Sequence, residues 1–481
     1  MSDFARISKN SLYSFLSTLF RLFANIILFW LIARFYGKEI FGQFTIAQTF
    51  ASVFVFFADF GLDILLTTEL PRDLKNSSKI FQRLFSIKFV LSLTALVGMV
   101  LISVFSSFSG VVKSLIIIFS FYALFTTLTN FLYALFKGNE RLEYETKVSF
   151  FVNTTSLFFV LLLILLKENI IVVAIGFTAM RFVGLIVALY FSYQVLPSIL
   201  FRLDFSKVKD LIHQVVIYGL FLIFGNLYFQ LDTILLAFWK GPEEVGIYQA
   251  VFRLVMLPLL IPEVFINSIM PTLSRFNSEN ILKWQKLSFF LNKFLVIIGI
   301  PLSIFIFMFS DQLINIVYGK KEYSSAIPVL KIFAVIILVR FMSETRGLML
   351  TTSRKQKIRM LIVVAATIIN FLINLVVIPK YSFYGAAVTS LITNVLVGIL
   401  FFYFTRSEIN LNGNGIIKPG FLLIILTMIA LFWLLNIINA WYLGFVFLSF
   451  YFVYVYKYNL TGNEKKYLLE LRLIRFKSIF K

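Results

Sequence analysis

The chain has 481 residues, of which 60% are hydrophobic, and its mean hydropathy is +0.92. This composition excludes an ordinary soluble domain. A net charge of +21 would suggest nucleic-acid binding on a soluble chain. Here, however, Lys and Arg concentrate in every second connector between apolar stretches. That alternation is the positive-inside pattern, so the charge reflects membrane topology and attraction to anionic lipid, and no nucleic-acid partner is expected.

Apolar stretches of membrane-spanning length run along the whole chain, since a helix needs about 20 apolar residues to cross the hydrocarbon core. The sequence therefore predicts an all-α polytopic membrane protein. The charge pattern places both termini in the cytoplasm. Fourteen spans are predicted, at 11–34, 40–66, 80–107, 112–137, 146–166, 170–196, 213–238, 245–271, 287–309, 325–352, 358–378, 383–405, 417–437 and 440–456.

An internal repeat indicates how these spans are organised. Gly37 to Phe44 and Gly241 to Tyr248 share one order: Gly, four residues, Gly, one residue, an aromatic. The alternative is that Gly merely marks a tight hairpin. Since the segments follow spans 1 and 7, duplication predicts two six-helix lobes in parallel repeat. The predicted parts are an N-lobe at 1–197, a C-lobe at 198–406, and spans 13–14 with a basic cytoplasmic tail at 407–481.

Several basic residues fall inside the predicted spans, where charge is costly and commonly marks a transport pathway. Arg21 and Arg253 lie near mid-depth in spans 1 and 8, one in each half, and Arg181 is central in span 6. Guanidinium groups match phosphate oxygens in two parallel hydrogen bonds. These arginines are therefore predicted to bind an anionic substrate. The alternative is a static ion pair of Arg21 with Asp59 or Asp63.

The acidic residues in the spans are candidates for ion coupling. Asp59 and Asp63 are four residues apart and share a face of one predicted helix, with Gly61 between them. They could bind a coupling proton or sodium ion, or could instead be a cap and salt-bridge position at the inner end of span 2. Asp232, near the outer end of span 7, is a third coupling candidate, and Glu263, deep in span 8, is a candidate cavity residue.

Three further predictions concern the remaining charges. Lys88 is expected to extend towards the inner interface from the end of its span. Arg340 and Glu344 are expected to pair across one helical turn, leaving Arg346 near the inner mouth. The chain has no Cys and a single His, and no phosphate-binding loop or nucleophile motif stands out. We therefore expect no metal site, no enzyme activity and no bound cofactor, with coupling to H⁺ or Na⁺ left open.

The order of these motifs resembles that of Wzx-type polysaccharide-biosynthesis, or O-antigen repeat-unit, flippases. These belong to the multidrug/oligosaccharidyl-lipid/polysaccharide exporter superfamily. The matching elements are Ser11 to Arg34, Gly37 to Phe44, Asp59-Phe60-Gly61-Leu62, Leu231-Asp232-Thr233, Gly241 to Tyr248, Arg253, and Pro271-Thr272-Leu273-Ser274-Arg275.

The resemblance implies movement of an undecaprenyl-diphosphate-linked oligosaccharide from the inner to the outer leaflet of the bacterial inner membrane. The two lobes would surround a central cavity and rock between inward-open and outward-open states. Arg21, Asp59, Asp232, Arg253 and Glu263 would lie on cavity-lining helices. A polysaccharide polymerase and a chain-length regulator are the protein partners that such a function implies.

Two other functions stay open. A cation-coupled multidrug or metabolite exporter of the same superfamily would favour acidic cavity residues, whereas bases outnumber acids within the predicted spans. A membrane polysaccharide polymerase or glycosyltransferase would need a large external loop for catalytic groups. The longest external connector, around Ser310 to Ser324, is short and lacks paired carboxylates.

Overall fold

The computed structural model describes residues 3–73, 76–197, 199, 201–206, 208–319, 322–406, 419–459 and 462. Their regular elements are all helical, with no strand in this part of the chain. The α-helices are α1 (Asp3–Asp59), α2 (Leu62–Glu69), α3 (Ser77–Phe105), α4 (Gly110–Gly138), α5 (Leu142–Leu165), α6 (Ile170–Val195), α7 (Val208–Trp239), α8 (Pro242–Glu279), α9 (Ile281–Met308), α10 (Ser310–Val317), α11 (Ala326–Thr352), α12 (Gln356–Thr405), α13 (Pro419–Ile437) and α14 (Leu443–Tyr454). A 3₁₀ turn at Leu70–Arg72 follows α2, and a π-helical turn at Val455–Asn459 follows α14.

Ten of the described helices are long and apolar enough to cross a membrane. Two of them are kinked, α1 at Gly37 (φ 78°) and α12 at Ser382 (φ 51°). Counting both legs of each kinked helix gives twelve candidate spans, and two shorter apolar helices at 425–437 and 443–457 bring the total to fourteen. The prediction of an all-α polytopic membrane protein with fourteen spans is confirmed. The basic tail expected after the last span lies almost wholly outside the described residues.

The predicted end of span 2 is wrong. The sequence suggested one helix from 40 to 66, but α1 ends at Asp59 and α2 begins at Leu62. Phe60 (φ 44°) and Gly61 (φ 85°) between them both have left-handed backbone. Two successive residues in that region cannot continue a right-handed helix. The break could not be predicted from the apolar stretch, because hydropathy carries no information on backbone dihedral angles.

Contacts among the described residues define two compact units, Met1–Gln249 (unit 1) and Ala250–Phe480 (unit 2). Unit 1 extends past the predicted lobe boundary at 197, because α7 packs against α1. The division between the units falls inside α8. The lobe boundaries at 197 and 406 stay predictions.

The interior of unit 1 is an aromatic and aliphatic cluster shared by α2, α3, α4, α5 and α6. Phe81 of α3 lies at its centre, with its ring 5.3 Å from that of Phe131 of α4 and 5.5 Å from that of Phe201. In lipid, burial of such rings gives little hydrophobic gain, so close packing is the main source of stability. Capping fixes where neighbouring helices start: the Asn169 side chain accepts a hydrogen bond from the Val172 backbone N–H at 3.0 Å.

In unit 2, the last two helices pack against α9. The Phe432 ring of α13 lies 5.8 Å from that of Phe305, and the Tyr451 hydroxyl of α14 donates to the Ile297 carbonyl at 3.0 Å. Both Phe432 and Tyr451 are buried, with exposed fractions of 0% and 6%. Within unit 2, α13 and α14 are therefore structural parts of the bundle.

The two copies of the sequence repeat lie against each other inside unit 1. Gly37 and Gly241 occupy equivalent positions, and both have left-handed backbone (φ 78° and 88°). A Cβ added to Gly42 would overlap the carbonyl of Pro242, and one added to Gly246 would overlap the carbonyl of Lys38. In the repeat, Gly42 corresponds to Gly246 and Lys38 corresponds to Pro242, so the two contacts are equivalent. We call this reciprocal backbone contact the glycine junction.

The glycine junction leads to a prediction about stability. Gly246→Ala should destabilise the protein by about 3 kcal/mol or more, because the new methyl group meets rigid backbone that has to move. Gly225→Ala on α7 is the matched control, since a Cβ there meets nothing within 4 Å. The control should unfold at the wild-type temperature or slightly above it. Thermal unfolding of both variants in nanodiscs tests this, and equal unfolding temperatures would contradict it.

Candidate functional site: charged groups inside the bundles

Arg181 of α6 lies deep in unit 1. It is eleven residues from the first residue of α6, which is about 16 Å along the axis. Its guanidinium carbon lies 5.4 Å from the centre of the Tyr122 ring and 5.2 Å from that of Phe177. Its Nη2 donates to the Asn153 Oδ1 at 3.4 Å, and its buried Nε has no acceptor within the described residues. Aromatic faces stabilise the cation without neutralising it.

Arg21 of α1 is a second cation that acts on this part of unit 1. It precedes the Gly37 kink of α1 by sixteen residues, or about 24 Å along the helix, and its side chain is exposed. Arg21 and Arg181 both act electrostatically on the buried hydroxyl of Tyr133. We call Arg21, Arg181, Tyr133 and Asn153 the interior cation group.

The carboxylates that the structure describes in unit 1 do not pair with either arginine of this group. Glu145 also acts on Tyr133, but its Oε1 lies 3.1 Å from the Nζ of Lys137. Asp59 and Asp63 bind Lys88 instead of Arg21, which was the static pairing left open from the sequence. Among the ion pairs of the described residues, neither Arg21 nor Arg181 takes part. Two guanidinium groups thus remain available for an anion.

The structure contradicts the sequence-based prediction for Lys88. It was expected to reach the inner interface, but its side chain is wholly buried, with an exposed fraction of 0%. Its Nζ lies 2.8 Å from an oxygen of Asp59 and 2.8 Å from an oxygen of Asp63. The shared face predicted for the two aspartates assumed one continuous helix. They converge across the Phe60–Gly61 break, because Lys88 of α3 attracts both.

Arg253 of α8 belongs to unit 2. It is half-buried and acts electrostatically on Tyr318, whose hydroxyl donates to the Ala250 carbonyl at 2.9 Å. Glu263, ten residues further along α8, is exposed. The predicted joint action of Arg21 and Arg253 on one substrate would join the two units and stays a prediction.

Asp232 is buried in unit 1, with an exposed fraction of 4%. Its Oδ2 accepts a hydrogen bond from the Tyr248 hydroxyl at 2.6 Å, and beside it Gln249 donates to the Thr233 hydroxyl at 2.7 Å. These bonds join α7 to the start of α8. This supports a structural role for Asp232, while its predicted coupling role remains untested.

Two other charged groups lie in unit 2. Arg340 Nε donates to Glu344 at 3.1 Å, so the pairing predicted from their spacing is confirmed. Arg346 is buried, donates to the Thr405 hydroxyl at 3.1 Å and lies 4.4 Å from the Phe402 ring. No group of three potential metal ligands occurs among the described residues.

Sequence reasoning missed two members of these sites. Tyr133 gave no signal, because a tyrosine in an aromatic-rich helix is indistinguishable from a packing residue. Lys88 did give a signal, since a lysine inside an apolar stretch requires either a partner or an escape to water. Its distance from the start of α3, eleven residues or about 16 Å, was the observation that favoured a buried partner.

These findings define the protein as a polytopic membrane protein with charged groups inside its helical bundles. Residues 7–277 match the family model described as polysaccharide biosynthesis protein, and residues 219–376 match the MatE model. Because the first match covers more than half of the chain, the chain belongs to the polysaccharide biosynthesis protein family. The family resemblance inferred from the sequence motifs is confirmed.

Individual relatives agree with this assignment. The chain is 21% identical over 231 residues to a probable low-salt glycan biosynthesis flippase, Agl15, of Haloferax volcanii. This match covers 47% of the chain and 48% of that protein. It is 29% identical over 120 residues to the teichuronic acid biosynthesis protein TuaB of Bacillus subtilis, covering 24% of each chain. The chain therefore matches half or less of the length of these curated relatives.

The fold has a counterpart among solved structures over nearly its whole length. A structure of lipid II flippase MurJ in an inward closed conformation superposes with a TM-score of 0.66 at 16% identity. The match covers 98% of this chain and 96% of that one. At this identity the likeness establishes the fold alone.

Proposed function

We propose that the protein is a flippase that moves an undecaprenyl-diphosphate-linked oligosaccharide from the cytoplasmic to the periplasmic leaflet of the bacterial inner membrane. The observation that carries this proposal is the interior cation group. Arg181 is half-buried among aromatic rings and Arg21 is exposed; both act on the buried Tyr133, and neither has a carboxylate partner among the described residues. Such an environment suits an anionic headgroup, because a diphosphate supplies the missing negative charge. The glycan-biosynthesis relatives support the same class of cargo.

The direction of transport agrees with electrostatics. An inside-negative potential favours outward movement of negative charge by about 2.3 kcal/mol per charge per 100 mV. A diphosphate crossing with its sugar would gain this term, whereas an organic cation would work against it. In this proposal the protein transports and performs no catalysis. Its product would supply O-antigen or another surface polysaccharide, with a polymerase and a chain-length regulator acting afterwards.

A cation-coupled exporter of multidrug type is the second candidate function. The match of residues 219–376 to the MatE model favours it. An exporter of cationic drugs would, however, need acidic groups facing its substrate. In unit 1 the carboxylates of Asp59, Asp63 and Glu145 are already bound to lysines. The interior cation group therefore favours an anionic cargo over a cationic one.

Alternating access gives the glycine junction a role in the proposal. With the N-terminus in the cytoplasm, both repeat segments lie at the outer surface, so their contact closes that side of unit 1. Lys38 and Glu243 form an ion pair across the junction at 2.7 Å. Release of cargo outside would separate the two segments.

The first test removes the interior cations. Arg21→Gln and Arg181→Gln should each lower flipping of a lipid-diphosphate sugar at least about tenfold, since one charge-assisted hydrogen bond contributes about 1.5–3 kcal/mol. Arg141→Gln is the control: it also removes one positive charge from unit 1, but at an exposed position paired with Glu143. Flipping is measured in proteoliposomes. Wild-type rates in both interior variants, or efflux of a cationic dye that depends on neither arginine, would refute the proposal.

The second test holds the glycine junction closed. The chain contains no cysteine, so Lys38→Cys with Glu243→Cys introduces a single reactive pair. A short, reducible thiol cross-linker should abolish flipping in the double variant, and reductant should restore it. Each single-cysteine variant treated with the same reagent is the control. Undiminished flipping in a fully cross-linked sample would show that the junction does not open during transport.

A further inference from the structure

Lys88 binds two carboxylates, so one positive charge faces two negative charges. This imbalance has no part in the proposed binding of an anionic cargo. Lys88 Nζ lies at 2.8 Å from Asp59 Oδ1, at 2.8 Å from Asp63 Oδ1 and 5.8 Å from the centre of the Phe131 ring. It is eleven residues from the start of α3, about 16 Å along the axis. The ammonium has no contact with solvent. We call Lys88, Asp59 and Asp63 the buried triad.

Fully ionised, the buried triad carries one net negative charge. Among the described residues, the only charged groups that act on any of its three members are the other two. Neither Arg21 nor Arg181 compensates it. A net charge enclosed by α1, α2, α3 and the Phe131 ring of α4 is costly in a medium of low dielectric constant. One added proton makes the triad neutral.

Hydrogen bonding shows which carboxyl group takes that proton. Asp59 accepts from the Lys88 ammonium and also from the backbone N–H of Asp63, at 3.1 Å. Its negative charge is therefore stabilised by two donors, whereas among the described residues the Lys88 ammonium is the donor to the Asp63 carboxylate, and a protonated Asp63 can itself donate to Asp59. The Asp63 side chain is also the more accessible to water, with an exposed fraction of 23% against 11% for Asp59.

We infer that the buried triad is a proton-binding site in which Asp63 takes up one proton from water, while Asp59 and Lys88 remain an ion pair. As the pH falls, the proton binds to the Asp63 carboxylate and weakens its bond to Lys88. As the pH rises, the proton leaves and the net negative charge returns. The site would respond to the proton gradient whatever the cargo is.

The position of the triad links this proton to movement of the chain. Asp59 is the last residue of α1 and Asp63 lies in the first turn of α2, so Lys88 holds both sides of the Phe60–Gly61 break. The Phe60 ring packs on Gly219 of α7, where an added Cβ would come within 2.6 Å of it. Protonation of Asp63 weakens the bond between α2 and Lys88, while Asp59 keeps its bonds to Lys88 and to the Asp63 backbone N–H. The joint between α1 and α2 is then held by fewer bonds and can change its angle against α7 more easily.

Infrared difference spectroscopy of the full-length protein in nanodiscs tests the inference without any cargo. The wild type should show a protonated-carboxyl band that disappears as the pH rises. Asp63→Asn, which is isosteric and neutral, should lose this band. Glu145→Gln removes another buried carboxylate of unit 1, one already paired with Lys137, and should keep it. Lys88→Met leaves two carboxylates without a cation and should increase the band.

A stability measurement separates the two aspartates. Asp59→Asn should lower the unfolding temperature more than Asp63→Asn does, because Asp59 accepts two hydrogen bonds that hold α1, α2 and α3 together. A wild-type protein with no titrating carboxyl band, or a band unchanged in Asp63→Asn, would overturn the inference. Because neither measurement uses a substrate, a failed flipping assay leaves the result intact, and the reverse also holds.

Discussion

A charged side chain inside this protein loses its hydration, and polar, charged or aromatic partners have to compensate for that loss. The partners also determine whether the side chain can still bind another group. For Lys88 the partners are two carboxylates, and for Arg340 the partner is Glu344 one turn away. Arg181 is compensated only in part, by two aromatic rings and one amide oxygen. Groups that are fully paired fix the fold. Groups that are partly paired keep the capacity to bind something else, and Arg181 is such a group.

In unit 1 the two aspartates pair with Lys88 and not with Arg21 or Arg181, so a carboxylate group and a cation group are both present. A bond between Arg21 and Asp59 would have neutralised a cation and a carboxylate at once. Lys88 binds both aspartates instead, at the break between α1 and α2, and leaves the arginines to the region around Tyr133. Under the two proposals, an anion would bind near Arg181 and a proton at the buried triad, at different places in the same bundle.

Sequence reasoning predicted the features that depend on spacing along one helix. It did not predict the contacts between residues that are distant in sequence. The apolar stretches predicted the helices, and spacing by four residues predicted the Arg340–Glu344 pair, because both follow from helix geometry. The shared role of Asp59 and Asp63 required Lys88, which comes from another helix. The repeat of Gly37 to Phe44 in Gly241 to Tyr248 was visible in sequence. The contact between the two copies was not visible in sequence. In each copy the second glycine lies against a backbone carbonyl of the other copy, and this depends on how the chain folds back on itself.

Under the proposed function, the glycine junction is a closure that has to open reversibly. Two conformations can exchange only when they differ by a few kcal/mol, so a closure held by a large side-chain interface would stay shut. In this protein the backbones approach through Gly42 and Gly246, where a Cβ on either residue would overlap the facing carbonyl. The accompanying Lys38–Glu243 pair is partly exposed, with exposed side-chain fractions of 29% and 57%. Such pairs contribute about 0–1 kcal/mol. The junction therefore combines a close steric fit of backbone with a weak, partly exposed ion pair, which suits the opening that the proposed function requires.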